Sequence, residues 1–300
     1  MSCSVVSFSL GEPIFATASE VSRWILLEQP GPWGREALEQ SRLAPAVARE
    51  LAGRAKELGI RVLLISRFGR STTGARTCFL GCSGPGPPWL EGATLCDPAQ
   101  ILDADLEALA RGERPGLGSL VRAPLYTVCT NSARDACCAA HGRPLARALS
   151  TTLEDRVWQC SHVGGHRFAA NMVCFPHGLY FGRVGPKDGM RIVSSYEDGR
   201  IELAHYRGRS AYPADAQAAE FFVREREGIS GVDDLALAER RELASGEREV
   251  SFGHGSRESS VLRVRVRKEI AEPARRTSCG AREPDTVSSW SLVSLERLTV

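Results

Sequence analysis

The chain has 300 residues, 43% of them hydrophobic and 25% charged, with a formal net charge of +2. These values describe a globular chain with enough length for a sizeable core and about two domains, and they argue against a disordered tail or a broad nucleic-acid-binding face. Ten cysteines are the compositional outlier. The stretch from Met1 to Glu12 lacks the basic start and long apolar run of a secretory signal, and no segment approaches the ~20 apolar residues of a membrane span. The expectation is a cytoplasmic protein without a membrane partner, in which clustered cysteine means metal or redox chemistry rather than disulfides.

Residues 1–118 read as an α/β unit. Trp24-Ile-Leu-Leu-Glu28 is a short apolar run, expected as a buried strand, and the Pro/Gly cluster from Gln29 to Gly34 is a turn. Leu43, Val47, Leu51 and Leu58 recur at helical spacing, with Pro45 in the first turn and Gly59 as the stop. Arg61-Val-Leu-Leu-Ile65 is a second buried strand, so strand, helix and strand predict a parallel pair with a right-handed crossover. Asp97 to Arg111 reads as one helix capped by Asp97 with Pro98 at its first position, and Arg111 to Gly118 as a linker. Cys3 reads as an exposed bystander. Cys78, Cys82 and Cys96 have neither a fourth donor nor regular spacing, so they do not read as a metal site.

Residues 119–212 carry the chemistry. Leu125 to Cys129 is a strand that delivers Cys129 at its end, Pro144 opens a helix, and Val157 to Cys160 is a strand that ends at a loop holding His162 and His166. Gly164 and Gly165 between the histidines disfavour a helix and suit a tight loop that aims both imidazoles at one point. Asn171 to Phe175 and Leu179 to Gly182 flank Pro176-His177-Gly178 as a hairpin, followed by a helix. Two cysteines and two histidines complete four terminal ligand positions. Zinc accepts that set, although Cys129 and Cys138 are farther apart than its usual cysteine pair; a [2Fe–2S] cluster also takes four ligands, two of which can be histidine. Cys137 competes with Cys138 for a ligand position, and in an extended or turn geometry their side chains diverge. Cys160 and Cys174 read as small buried hydrophobes, and Arg134 with Asp135 as a charge pair that shapes the loop.

The pattern Cys129 to Cys138, then His162-Val-Gly-Gly-His166 and Phe168-Ala-Ala-Asn171, resembles the sucrase/ferredoxin-like family over about residues 3–225. Glu12-Pro13, Thr17-Ala18, Glu28 to Gly34, and Arg207 and Arg209 resemble it as well. The resemblance implies a thioredoxin-like ferredoxin whose [2Fe–2S] cluster is held by Cys129, Cys138, His162 and His166, with Cys138 selected over Cys137. It implies one-electron transfer to a redox partner protein rather than a stand-alone enzyme. Sucrase activity has no supported carboxylate pair behind it. Neutral imidazoles in place of two thiolates make such a site less negative, so its potential should exceed that of an all-cysteine ferredoxin, and a solvent-reached imidazole nitrogen would couple reduction to protonation. Arg207 and Arg209 are expected to contact a ligand or partner, or to form a surface salt bridge.

Residues 213–300 are expected as a small α+β appendage: a helix from Ala216 to Arg226, then strands at Ser260 to Arg267 and Ser289 to Leu295 that alternate apolar with polar residues. The overall expectation is α/β, with an N-terminal domain over 1–118, a thioredoxin-like ferredoxin domain over 119–212 and the appendage over 213–300. Two other functions fit the same residues. One is a structural zinc module. The other is a thiol oxidoreductase using Cys137 and Cys138, which lacks the usual Cys-x-x-Cys arrangement.

Overall fold

The computed structural model describes residues 1–69, 74–255 and 260–299. The chain opens with α1 (Cys3–Ser9), β1 (Arg23–Glu28), α2 (Ala37–Gln40), α3 (Pro45–Glu57), β2 (Arg61–Ser66), β3 (Arg76–Cys82), β4 (Trp89–Leu95) and α4 (Leu106–Arg111). It continues through β5 (Ser119–Leu120), β6 (Leu125–Cys129), α5 (Ala136–Ser150), β7 (Val157–Cys160), β8 (Met172–Phe175), β9 (Leu179–Phe181), α6 (Pro186–Glu197), β10 (Tyr206–Arg209) and α7 (Ala214–Glu227). It closes with β11 (Leu235–Glu242), β12 (Arg248–His254), β13 (Ser260–Arg275) and β14 (Asp285–Thr299). The result is a mixed α/β architecture with a large sheet and a separate small one.

Strands β1 to β10 form one ten-stranded sheet in the order β10-β9-β8-β6-β7-β2-β1-β3-β4-β5. The apolar runs of β1 and β2 pair in parallel, as the strand–helix–strand reading predicts. In β1, Trp24 to Leu27 are fully buried: Ile25 and Leu27 pack with Leu51 of α3 and Leu109 of α4, while Trp24 and Leu26 pack with strand residues such as Trp158 and Phe175. The first half has β1 parallel to β2 and antiparallel to β3, with β3 antiparallel to β4. The second half repeats this: β6 is parallel to β7 and antiparallel to β8, and β8 is antiparallel to β9. The halves meet where β2 pairs antiparallel with β7, Ile65 opposite Cys160. One sheet thus holds strands from both sides of residue 118, with β5 beside β4 at its edge.

Two helices differ from the sequence reading. The Asp97–Arg111 helix is split into a 3-10 turn, Pro98–Asp103, and α4, because Asp105 caps the second piece by accepting from Ala108 N at 2.8 Å. The helix expected to open at Pro144 starts eight residues earlier, where Asp135 accepts from Cys137 N at 2.9 Å as its N-cap. Pro144 removes one helical donor, but it and Ala140, whose carbonyl loses that donor, both lie on the exposed face. The buried face of α5 runs through Cys138, Gly142, Leu145, Ala146 and Leu149 against the sheet.

The last strands form a four-stranded antiparallel sheet, β11-β12-β13-β14, with α7 packed on one face. Leu262, Val264 and Val266 of β13 are fully buried, while the alternating arginines meet acidic residues in and just before β12: Arg265 to Glu249 at 2.9 Å and Arg267 to Glu247 at 2.5 Å. The basic row is therefore neutralised within the sheet. Among the described residues, no helix is long and apolar enough to cross a membrane.

Candidate metal centre

Because β6 and β7 are parallel, both end on the same side of the sheet, and α5 begins there too. Cys129 is the last residue of β6, Cys138 lies in the first turn of α5, and His162 and His166 occupy the loop after β7. The structure brings Cys129, Cys138 and His162 together, with one donor atom of each within 4.8 Å of the others. His162 Nδ1 lies 3.9 Å from Cys129 Sγ and 3.7 Å from Cys138 Sγ. His166 stands behind His162: its Nδ1 is 3.4 Å from His162 Nε2, and its Nε2 faces Asp135 Oδ2 at 3.7 Å. That Nε2 is buried with no hydrogen-bond partner among the described residues. The two thiols are buried and both imidazoles are partly exposed, so the site opens on its histidine side.

The electrostatics favour one thiolate here. A hydrogen bond from Cys138 and a further one from His162 hold Cys129 well below the usual thiol range, against the opposing effect of burial. The same hydrogen bond, with burial and the charge on Cys129, pushes the Cys138 thiol up. Burial lowers His166, which therefore stays neutral and keeps a lone pair free for a metal.

The loop between the histidines is held from below. Gly164 and Gly165 have φ of +94° and +68°, the left-handed region that glycine enters without a steric penalty. Arg207 forms no surface salt bridge but is 1% exposed and fastens this loop: its Nη1 donates to Gly164 O at 3.1 Å and Asn171 Oδ1 at 2.8 Å, and its Nε to Thr17 Oγ1 at 3.0 Å. A Cβ on Gly165 would lie 2.3 Å from Arg207 Nη2, so the glycine is needed for close approach as well as for its backbone angle. Asn171 Nδ2 donates to Gly165 O at 2.9 Å, and Ser19 Oγ to Val163 O at 3.0 Å. Burial pulls Arg207 down to about 10. Arg209 is buried too and donates to Val232 O at 2.6 Å, far from any surface pair.

Three other readings change. Arg134 pairs with Glu36 at 2.7 Å, and Asp135 turns inward. Cys137 and Cys138 are helical neighbours about 100° apart around the axis, so Cys138 faces Cys129 and His162 while Cys137 faces away from them. Cys137 lies 3.6 Å from Cys3 and 3.3 Å from Cys279. Cys3 is therefore not an exposed bystander but 2% exposed. Cys160 and Cys174 are fully buried, as expected, and burial pushes both thiols up.

Over 95 residues the chain is 34% identical to a protein named altered inheritance of mitochondria protein 32, from Meyerozyma guilliermondii; the stretch covers 28% of this chain and 34% of that relative. No solved structure matches the chain. The family model described as sucrase/ferredoxin-like matches residues 14–208, well over half of the chain and all four residues around the centre. The chain therefore belongs to the sucrase/ferredoxin-like family.

Proposed function

We propose that this chain is an electron-transfer protein that holds a [2Fe–2S] cluster through Cys129, Cys138, His162 and His166, on a thioredoxin-like ferredoxin half. The observation that carries the reading is the convergence of two buried thiols and an imidazole at one end of the sheet, with a second imidazole behind the first. The donor set fits the group: soft thiolate and neutral imidazole are both iron–sulfur ligands, and the His166 ring stands beside His162, its Nδ1 3.4 Å from His162 Nε2. The strand order β7-β6-β8-β9, with α5 as the crossover and α6 after the hairpin, supports the thioredoxin-like assignment. When bound, such a cluster takes up and returns one electron, at a potential raised by its neutral imidazoles and coupled to protons where solvent reaches them.

The chain's own residues do the rest. The buried thiols keep water from the sulfur side. Arg207 places a buried positive charge beneath the ligand loop, favourable to thiolate. A groove lined by Arg35, Glu36, Arg61 and Arg134 reaches His162, and there a redox partner protein docks against the exposed imidazole side. All ten cysteines are free, which supports a reducing compartment such as the cytoplasm.

A second reading, a structural zinc module, is favoured by the three donors Cys129, Cys138 and His162 lying together without His166. Anaerobic purification with visible absorption and iron and sulfide assays decides between them. The electron-carrier reading expects a reddish-brown protein that loses iron and sulfide in both His162→Ala and His166→Ala. A colourless protein whose metal survives His166→Ala overturns it in favour of zinc.

A further inference from the structure

A second group of metal-type donors lies beside the first, built by other parts of the chain. Cys3 opens α1, Cys137 is the second residue of α5, and Cys279 lies in the turn between β13 and β14. Their sulfurs form a near-equilateral triangle: 3.6 Å from Cys3 to Cys137, 3.3 Å from Cys137 to Cys279 and 3.6 Å from Cys279 to Cys3. Asp135 brings its carboxylate to the same point, both oxygens 3.9 Å from Cys3 Sγ, and one donor atom from each of the four residues lies within 4.8 Å of the others. Cys3 and Cys279 both lie outside the segment that matches the family, so the family's shared fold does not account for this grouping.

A tetrahedral zinc with Zn–S bonds near 2.3 Å has its sulfurs about 3.8 Å apart, and a sulfur and a carboxylate oxygen about 3.6 Å apart. The observed separations sit close to both values. A disulfide explains them less well. It joins two sulfurs at about 2.05 Å and leaves the third behind, whereas here all three pairs are alike. Nor is this ordinary thiol packing: apart from Ala169, the buried apolar cluster around Cys3 and Cys137 contains no other residue. The outer hydrogen bonds a metal site needs are also in place. Asp135 accepts from Cys137 N at 2.9 Å, Cys279 N at 2.8 Å and Ser278 Oγ at 3.2 Å, which fixes its orientation as partners fix liganding carboxylates elsewhere. Cys3, Cys137 and Asp135 are buried while Cys279 is exposed, so an ion has a way in.

We propose that Cys3, Cys137, Cys279 and Asp135 form a structural zinc site that ties the N-terminal helix and the tip of the β13–β14 hairpin to the first turn of α5. Three thiols release their protons as zinc binds. The site holds α5 where it presents Cys138 to the other centre, and it shares a wall with that centre through Asp135, 3.7 Å from His166 Nε2. Its existence does not rest on whether the first centre holds iron.

The test is metal analysis of the full-length protein purified without added chelator, beside Cys279→Ser, Cys3→Ser and His162→Ala variants. About one zinc per chain is expected in the wild type, lost in both cysteine variants and kept in His162→Ala. Titration of metal-depleted wild type with cobalt gives a second readout free of any folding defect in a variant: a thiolate-to-cobalt charge-transfer band is expected, and it should persist in His162→Ala protein. A zinc content in both cysteine variants equal to that of the wild type, no zinc or cobalt band in the wild type, or a mapped disulfide between any two of the three cysteines in freshly purified protein each overturns the proposal; zinc at the first centre would leave its own share in the cysteine variants and be lost in His162→Ala.

Discussion

Exchanging glycine for alanine in two helices should have opposite effects, and the sign follows from what the new methyl group meets. Gly53 lies in the interior of α3, exposed, with nothing within 4 Å of an added Cβ and no positive φ. Gly53→Ala therefore gains only helix propensity, about 1 kcal/mol, which for a chain of this size raises the melting temperature by roughly 2–4 °C. Gly142 lies in the interior of α5, and an added Cβ there would stand 2.1 Å from Cys129 O and 3.1 Å from Cys129 C. Ordinary carbon contacts start near 3.5 Å, so helix and strand must part by about 1.4 Å. The obstacle is main chain in a buried strand and cannot swing aside. Overpacking of this kind costs about 1–3 kcal/mol or more, and the same propensity gain offsets only about 1 kcal/mol of it. Gly142→Ala should therefore lose about 2 kcal/mol in urea melts and shift Cys129, with whatever metal the centre retains falling alongside stability. A Gly142→Ala protein as stable as the wild type, with unchanged metal content, would show that α5 does not press on the ligand strand as described.

Arg207→Lys keeps the charge but cannot reach Thr17, Gly164 and Asn171 together, so a loss on the order of 2–4 kcal/mol is expected in urea melts, together with weaker metal retention. His177 is held neutral by burial, its pKa lowered to about 4. The unfolded chain takes up the proton first as pH falls from about 6.5, so stability present above that pH is lost on the way down to about 4, by on the order of 3 kcal/mol. In His177→Gln that part of the pH dependence should vanish from melts recorded across the same range. Glu220 accepts from Tyr206 Oη at 2.9 Å and pairs with Arg224 at 2.9 Å, all buried. Glu220→Ala leaves the buried guanidinium with backbone carbonyls but no counter-charge, and should cost about 3–5 kcal/mol, read as a lowered unfolding midpoint.

What the sequence disclosed was local. Apolar runs at Trp24 to Leu27 and Val62 to Ile65 can only be buried strands, and the Leu43 to Leu58 spacing can only pack as a helix face. Cys129 and His162 were legible as residues at or just past a strand end, whereas Cys138 was singled out from Cys137 only by the resemblance to the family. The start of α5 was not: Ala136 to Gly142 has no apolar period, and Pro144 is a stop signal that an exposed helix face can tolerate. The one clue there is Asp135, a good N-cap type. Arg207 looked like a surface charge because arginine is rarely buried, and only its three-sided set of acceptors reverses that. Cys3 and Cys279 are 276 residues apart in sequence, and no spacing rule joins such a pair. The repeated strand order of the two halves left no sequence repeat, because buried strands require apolar side chains of suitable volume and little else.

That repeat also separates what the fold supplies from what the residues supply. Both halves offer the same three places: the end of the first strand, the start of the crossover helix and the loop after the second strand. In the second half these hold Cys129, Cys138 and His162. In the first half they hold Glu28, Pro45 to Val47 and Arg67-Phe68, with neither thiol nor imidazole. Strand order alone therefore does not make a metal centre. The first half still takes part, through the antiparallel joint. Ile65 pairs with Cys160, so the start of β2 runs on past the end of β7 and lies beside the histidine loop. There Arg61 Nη2 donates to His162 O at 2.8 Å and lines the groove that reaches the imidazole. A parallel joint would carry the start of β2 to the opposite end of the sheet. The antiparallel pairing of β2 with β7 thus turns a half without ligands into one wall of the centre.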